Sequence, residues 1–354
     1  MHVGHALAEE PDLARKALAI RRDPTGAFPI LSAKIKVTGR CNLRCKMCAL
    51  WREPLAGVAH TDVLTSETIA GVLEQLTQRG LRKVHFSGGE VLLRDDFMSI
   101  VEYARKLGVQ VNLTTNGTLL DKTVARALVK HRVHTVAISI DSADPKTHNR
   151  IRGNRTAWQD SVAGLALLHA RRKAKGRGPK IAVNTLVTRE SIEHLDALHR
   201  LLLEWHVDSW RLLPLDTEIK KDRPTDDQWH KLAARWHDWQ PLLARLPVDW
   251  SSERSGERAA KGKYAGLFYS DHICYAPWFN VFVDSDGKVY PCCMGKRDMT
   301  PCGNVLKQSI NECLDGTVLR EIRCGIAASH MFPVCELCDD FLEENQAFSS
   351  IKAD

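Results

Sequence analysis

No run of about 18 consecutive apolar residues occurs in this chain, so no segment is suited to crossing a membrane. The N-terminus carries Glu9, Glu10 and Asp12 and lacks the apolar core of a secretory signal. Eleven cysteines in a chain without an export signal point to metal binding in a reducing cytoplasm rather than to disulfides. No nucleic-acid-binding module is visible. The formal charge of +7 is partly local, because Arg171-Arg172-Lys173-Ala174-Lys175-Gly176-Arg177 forms one run. Cations are favoured near a helix C-terminus, so that run reads as a solvated helix end rather than a partner site.

What is present is a regular alternation. At 354 residues the chain can bury a substantial core and is expected to form more than one unit. Residues 1–30, with Pro11, Pro24 and Pro29, read as an N-terminal arm. From residue 31 strands and helices take turns: strands at Lys34–Val37, Val84–Phe86, Val109–Leu113, Thr135–Ile140, Ile181–Val187 and Trp210–Leu213. Between them, apolar residues at helical spacing (Ile69, Val72, Leu73, Leu76; Phe97, Ile100, Val101, Ala104) mark amphipathic helices. This is an α/β pattern of parallel βαβ units, and six strands imply a partial (β/α)6 barrel of the TIM type over 31–215. Residues 216–270 break the rhythm as a helical linker. There Trp229, Leu232, Trp236, Trp239 and Leu243 form one apolar helical stripe, which favours packing over ligand stacking, and Ser251–Lys263 reads as a polar loop. A C-terminal unit at 271–345 contains a hairpin that turns at Asp284-Ser285-Asp286-Gly287. Residues 346–354 are a tail.

The chemistry-bearing residues fall at the strand ends. Cys41, Cys45 and Cys48, spaced C-x3-C-x2-C, follow the first strand directly. Thiolates so closely spaced can wrap one soft-metal centre, and three of them on a four-iron cube leave one iron open to a small molecule. Structural zinc takes four ligands, and no His or fourth Cys lies near. Ser87-Gly88-Gly89-Glu90 ends the second strand, where paired glycines permit close backbone approach to a ligand and Glu90 can accept from an ammonium group. Downstream, Cys274-x12-Gly287-x4-Cys292 is followed by Cys335-x2-Cys338. Spacing alone leaves that second set open between zinc and a four-iron cluster.

The three-cysteine loop, with Asn42-Leu43 inside it and Met47 before its last cysteine, resembles the signature of the radical S-adenosylmethionine (SAM) superfamily. The resemblance extends over residues 33–345. It implies that Cys41, Cys45 and Cys48 hold a [4Fe-4S] cluster whose open iron binds SAM, and that reductive cleavage yields a 5′-deoxyadenosyl radical. By the same resemblance Gly88, Gly89 and Glu90 meet the SAM amine, and Asn116 in the Thr114–Gly117 turn is a further contact. Ser139, Asp141 and Asn184 approach the ribose and carboxylate, Arg152 reaches the methionyl carboxylate, and Leu213-Pro214 lies against adenine. Val91 stands where the family usually has proline. Ala276-Pro277-Trp278, Pro291-Cys292-Cys293 and Gly303-Asn304-Val305 resemble the SPASM/twitch extension of the same enzymes. Asp339–Asp354 contains no cysteine, so the four-cysteine twitch version matches better, with Cys274, Cys292, Cys335 and Cys338 around one auxiliary [4Fe-4S] cluster.

The expected activity is hydrogen-atom abstraction from a small polar substrate, such as a sugar or aminocyclitol intermediate of natural-product biosynthesis, leading to dehydrogenation or epimerisation. An electron donor such as flavodoxin or ferredoxin is implied. The short arm, unable to hold a winged-helix peptide-recognition domain, favours the small substrate. A ribosomal precursor peptide or a haem-type intermediate is the alternative, and a non-catalytic zinc-ribbon partner-binding protein is a third reading. Cys293, Cys302, Cys313 and Cys324 remain unassigned, and one of them could return a hydrogen atom to a substrate radical.

Overall fold

The computed structural model describes residues 9–48, 50, 63–215, 220–245, 255–265, 268–338 and 342–351; parts of the expected arm, linker, loop and tail lie outside them. Helix α1 (Pro11–Ala19) precedes six βα repeats. These are β1 (Ser32–Thr38), α2 (Ser66–Gln78), β2 (Lys83–Gly88), α3 (Phe97–Lys106), β3 (Gln110–Thr115), α4 (Lys122–Lys130), β4 (Thr135–Ser139), α5 (Pro145–Arg152), α6 (Ala157–Lys175), β5 (Lys180–Val187), α7 (Leu195–Glu204) and β6 (Ser209–Pro214). The helices begin where their sequence can satisfy free backbone donors. Thr65 Oγ1 accepts from Thr68 N at 3.2 Å ahead of α2, and Asp121 Oδ1 from Val124 N at 2.7 Å ahead of α4.

The expected partial barrel is present, and its sheet continues at both edges. Strands β1 to β6 pair in parallel in sequence order, and with β7 (Leu243–Arg245), β8 (Asn280–Val283), β9 (Lys288–Tyr290) and β10 (Gly303–Asn304) the described residues form one ten-stranded sheet ordered β10-β9-β8-β1-β2-β3-β4-β5-β6-β7. One face packs under the helices through Ala33, Ile35, Val84, Phe86, Val111, Leu113, Val136, Ile138, Ile181 and Val183, all nearly fully buried. Burying each such Val, Leu, Ile or Phe side chain contributes about 1.5–3 kcal/mol. Because strand side chains alternate, the other face carries Lys34 and Lys36 on β1, His85 and Ser87 on β2, and Asn112 and Thr114 on β3.

Four expectations change. The tryptophan stripe is not one helix: α8 (Asp226–Arg235) stops, Trp236–Trp239 forms a tighter turn, and Leu243 opens β7 (Leu243–Arg245), which pairs in parallel with β6. Pro241 lacks the N–H a continuing helix would need. Trp229 and Trp239 are buried, as packing required. Within the expected loop at Ser251–Lys263, residues Ser255–Ala260 are helical. The C-terminal hairpin, β8 (Asn280–Val283) and β9 (Lys288–Tyr290), is not a separate layer, because β8 pairs in parallel with β1 from Ser32↔Asn280 to Ile35↔Val283. Gly303–Asn304 (β10) extends it. The last helix runs Leu342–Ser349, past the boundary expected at 345, and Phe348 stacks on Tyr275 and Phe279.

Candidate active site

The cysteine loop leaves the C-terminal end of β1 and is gripped from both sides. On one side Gly89 N donates to Thr38 O at 2.9 Å and Glu90 N to Arg40 O at 2.8 Å. A Cβ on Gly88 (φ +146°) would lie 2.4 Å from Thr38 O, and one on Gly89 would lie 1.9 Å from Arg40 O. The glycine pair is therefore required by approach of the loop backbone, where the sequence pointed to approach of a ligand. On the other side Lys46 N donates to Ile151 O at 3.0 Å at the end of α5. Gly153 (φ +64°) caps that helix, and a Cβ there would meet Arg44 O at 2.2 Å. Gly153 escaped sequence reasoning, although a glycine closing a helix was the available signal.

Glu90 is fully buried. Its Oε1 accepts from Thr115 Oγ1 at 2.6 Å and Leu92 N at 3.1 Å, and its Oε2 from Asn116 N at 2.7 Å. Burial raises its pKa, and these three donors pull it back. Asn116 ties the β3 turn to the cysteine loop, its Nδ2 donating to Asn42 Oδ1 at 2.9 Å. Asp141 and Arg152 are spent on each other: Nε donates to Oδ2 at 2.6 Å and Nη2 to Oδ1 at 2.8 Å. Asp141 is fully buried, and Oδ1 also accepts from Leu186 N at 3.0 Å. Arg152 in turn hydrogen-bonds the Cys45 thiol, opposing the burial that raises the pKa of Cys45. Cys41 is pushed up to about 11 by burial first, with Cys45, Glu90 and Cys48 adding to it against the Leu43 amide. Ser139 and Asn184 are paired in register and nine-tenths buried, and Asn184 Oδ1 has no hydrogen-bond partner.

Beside the loop lies an open cavity of about 460 Å³, lined by Met47, Ile151, Leu186 and Leu215, with Lys46, Arg189, Glu190, Lys221 and Asp222 at its polar side. Leu215, the residue directly after β6, forms part of its apolar wall.

A second cavity is lined by Cys274, Cys292, Cys335 and Cys338 together with Tyr269, Met294 and Met299. All four thiols are free of disulfides. Burial raises Cys274, drives Cys292 well above its ordinary range and pushes Cys335 up to about 12. Such a set is unfavourable as bare thiolates and fits a positively charged centre that displaces the protons. The four thiols line one cavity and are placed to hold a metal centre between them. Asn345, fully buried, donates from Nδ2 to Tyr269 Oη at 2.8 Å and to Cys274 Sγ at 3.4 Å, and its Oδ1 accepts from Tyr275 N at 2.7 Å. Neither Tyr269 nor Asn345 was legible in the sequence. Of the remaining cysteines, Cys302 and Cys313 are buried, Cys324 is exposed, and Cys293 Sγ accepts from Lys34 Nζ at 3.5 Å.

The two regions that carry these cysteine sets match known protein families. Residues 35–202 match the radical SAM superfamily, and residues 274–340 match the SPASM iron–sulfur cluster-binding domain. The PqqA peptide cyclase of Xanthomonas oryzae pv. oryzae (strain MAFF 311018) is 30% identical over 273 residues, covering 76% of this chain and 69% of that protein. Streptococcus suis SuiB bound to precursor peptide SuiA is similar in fold, with a TM-score of 0.67 at 18% identity over 93% of this chain and 76% of that one. So is native anSMEcpe with bound AdoMet and Kp18Cys peptide, with a TM-score of 0.60 at 19% identity over 88% and 87%. The chain belongs to the radical SAM superfamily, as an enzyme with a SPASM-type C-terminal domain. Its cofactors are accordingly a SAM-binding [4Fe-4S] cluster, an auxiliary cluster and SAM itself.

Proposed function

We propose that this enzyme modifies a ribosomally made precursor peptide, removing a hydrogen atom from one of its residues and completing an oxidation such as a cross-link. The observation that carries this reading is the 30% identity to a PqqA peptide cyclase across three quarters of the chain. It supports a peptide better than the small sugar-like substrate that the short arm favoured. When bound, SAM and the clusters supply the electron and the 5′-deoxyadenosyl radical.

The chain's own residues hold and orient these groups. Cys41, Cys45 and Cys48 ligate the SAM cluster, with Gly88, Gly89 and Gly153 letting their loop seat. Glu90, already fixed by Thr115 and Asn116, receives the SAM ammonium. Ser139 and the unpartnered Asn184 Oδ1 face the ribose, and Met47, Leu186 and Leu215 cover adenine. Asp141 acts by holding Arg152 beside Cys45, and Asn116 by tying the β3 turn to Asn42. Cys274, Cys292, Cys335 and Cys338 would hold the auxiliary cluster, which would supply a one-electron acceptor near the substrate, and a flavodoxin- or ferredoxin-type protein would be the electron donor.

The test is anaerobic incubation of the reconstituted enzyme, SAM and reductant with any short peptide found encoded beside its gene. The expected result is 5′-deoxyadenosine together with a peptide lighter by two hydrogens. Unchanged peptide, with turnover of an aminocyclitol or sugar instead, would return the reading to small substrates.

A further inference from the structure

The sheet face turned away from the helices carries a line of cations between the two cysteine sets. Lys34 Nζ donates to the Sγ of Cys293, next in sequence to Cys292. Two residues on, Lys36 pairs in register with Ser87, which immediately precedes the Gly88–Glu90 turn. Lys36 is three-quarters buried, and its Nζ lies 3.3 Å from Asp284 Oδ1, while Lys296 Nζ donates to the other oxygen, Oδ2, at 2.8 Å. One carboxylate on the hairpin thus holds two ammonium groups side by side. The neighbouring Asp286 is engaged by Lys288 at 2.8 Å.

Lys36 and Lys296 thus share the single Asp284 carboxylate, and partly buried charge of one sign is stabilised by a further counter-ion. Two hydroxyls beside them lack a hydrogen-bond partner: Ser87 Oγ on β2 and Ser285 Oγ, the latter in a residue only 6% exposed. Ser285 Oγ lies 3.7 Å from the point where a Cβ on Gly39 would stand, so the hairpin turn reaches the start of the cysteine loop. Orphaned buried hydroxyls beside surplus cations are donors awaiting an acceptor.

We infer that Lys36 and Lys296, with the hydroxyls of Ser87 and Ser285, form a binding subsite for a carboxylate of the substrate, set between the SAM loop and the auxiliary cavity. The inference deepens the peptide reading and rests on it for the carboxylate's source, an acidic side chain or the peptide's C-terminus. The subsite holds the substrate by charge, so its grip weakens as salt screens the lysines.

The test uses the anaerobically reconstituted full chain with SAM, titrated calorimetrically with three probes. These are N-acetyl-Gly-Glu-Gly-amide, its Gln counterpart, and N-acetyl-Gly-Gly-Gly with a free C-terminal carboxylate. The Glu peptide is expected to bind about tenfold more tightly than the Gln peptide. The preference should disappear in K36M/K296M and persist in K36R, which keeps the cation; K36R and K296M alone decide if the double variant loses its clusters. Preference for the free C-terminus instead would keep the subsite and assign it to the chain end. Equal or absent binding of all three probes, or a preference that survives K36M/K296M, would overturn the inference. Failure of the encoded peptide to react while the Glu preference holds would count against the peptide reading alone.

Discussion

At the scale of single residues, the cysteine loop depends on atoms that are missing. Gly89→Ala would place a methyl carbon 1.9 Å from the Arg40 carbonyl, one residue before Cys41, and only a shift of the loop can relieve that contact. We expect this variant to keep the auxiliary cluster and lose the SAM cluster, falling from about eight irons per chain to about four. Iron and sulfide analysis after reconstitution checks it. Arg152 illustrates the opposite case, a group that is present and fully committed. Removing it as Arg152→Met leaves the Asp141 carboxylate buried without its cation, and breaking a buried pair in this way costs about 3–5 kcal/mol. Urea unfolding of Arg152→Met against the parent, with Asp141→Asn/Arg152→Met as the rescuing pair, measures that cost. Asn345 donates to the Cys274 sulfur, and hydrogen bonds to sulfur favour the reduced, more negative cluster. Asn345→Leu should therefore lower the auxiliary midpoint potential in an EPR-monitored titration; an unchanged potential would deny the asparagine that role.

At the scale of elements, the barrel was legible because its signals are local. Period-3.6 apolar residues marked α2 through Ile69, Val72, Leu73 and Leu76 and α3 through Phe97, Ile100, Val101 and Ala104, and all eight are buried in those helices. Helix α5 carried its own signal, Asp144 accepting from Thr147 N at 2.8 Å with Pro145 in the first turn, but its eight residues were hidden inside a motif read only for Arg152. What could not be read were pairings between residues far apart in sequence. Nothing local to Asn280–Val283 says that it will lie against Ser32–Ile35, and nothing local to Leu243 says that it will extend β6. The same limit hid the site partners Asn345 and Tyr269, which reach Cys274 only through tertiary packing. The cysteine positions were legible because their spacing is itself the signal, whereas the hydrogen bonds among Glu90, Asn116 and Asn42 depend on how three strand ends converge. The final helix offers a direct check. Phe348 is 3% exposed and stacks on Tyr275 and Phe279, so Phe348→Ala should cost about 3–5 kcal/mol in denaturant unfolding. It should also weaken auxiliary-cluster retention, since Asn345 sits on the same helix.

At the scale of the whole molecule, one continuous sheet carries both cysteine sets. Strand β1 leads into the SAM-side loop at one end and pairs along its flank with the hairpin whose ends bring Cys274 and Cys292 together. The two centres are therefore linked through backbone hydrogen bonds rather than through a flexible joint, and the Lys34–Lys36 face lies between them. That geometry suits a substrate that is activated at one centre and gives up an electron toward the other. Among the described residues no helix is long and apolar enough to cross a membrane. The claim on which the rest depends is that the second cysteine set holds its own iron–sulfur cluster. The most direct measurement is iron and sulfide content of anaerobically reconstituted protein with Cys41, Cys45 and Cys48 all changed to Ala. About four irons and four sulfides per chain are expected to remain, held by Cys274, Cys292, Cys335 and Cys338. Zinc in their place, or no metal, would contradict the account and remove the auxiliary centre from the reaction.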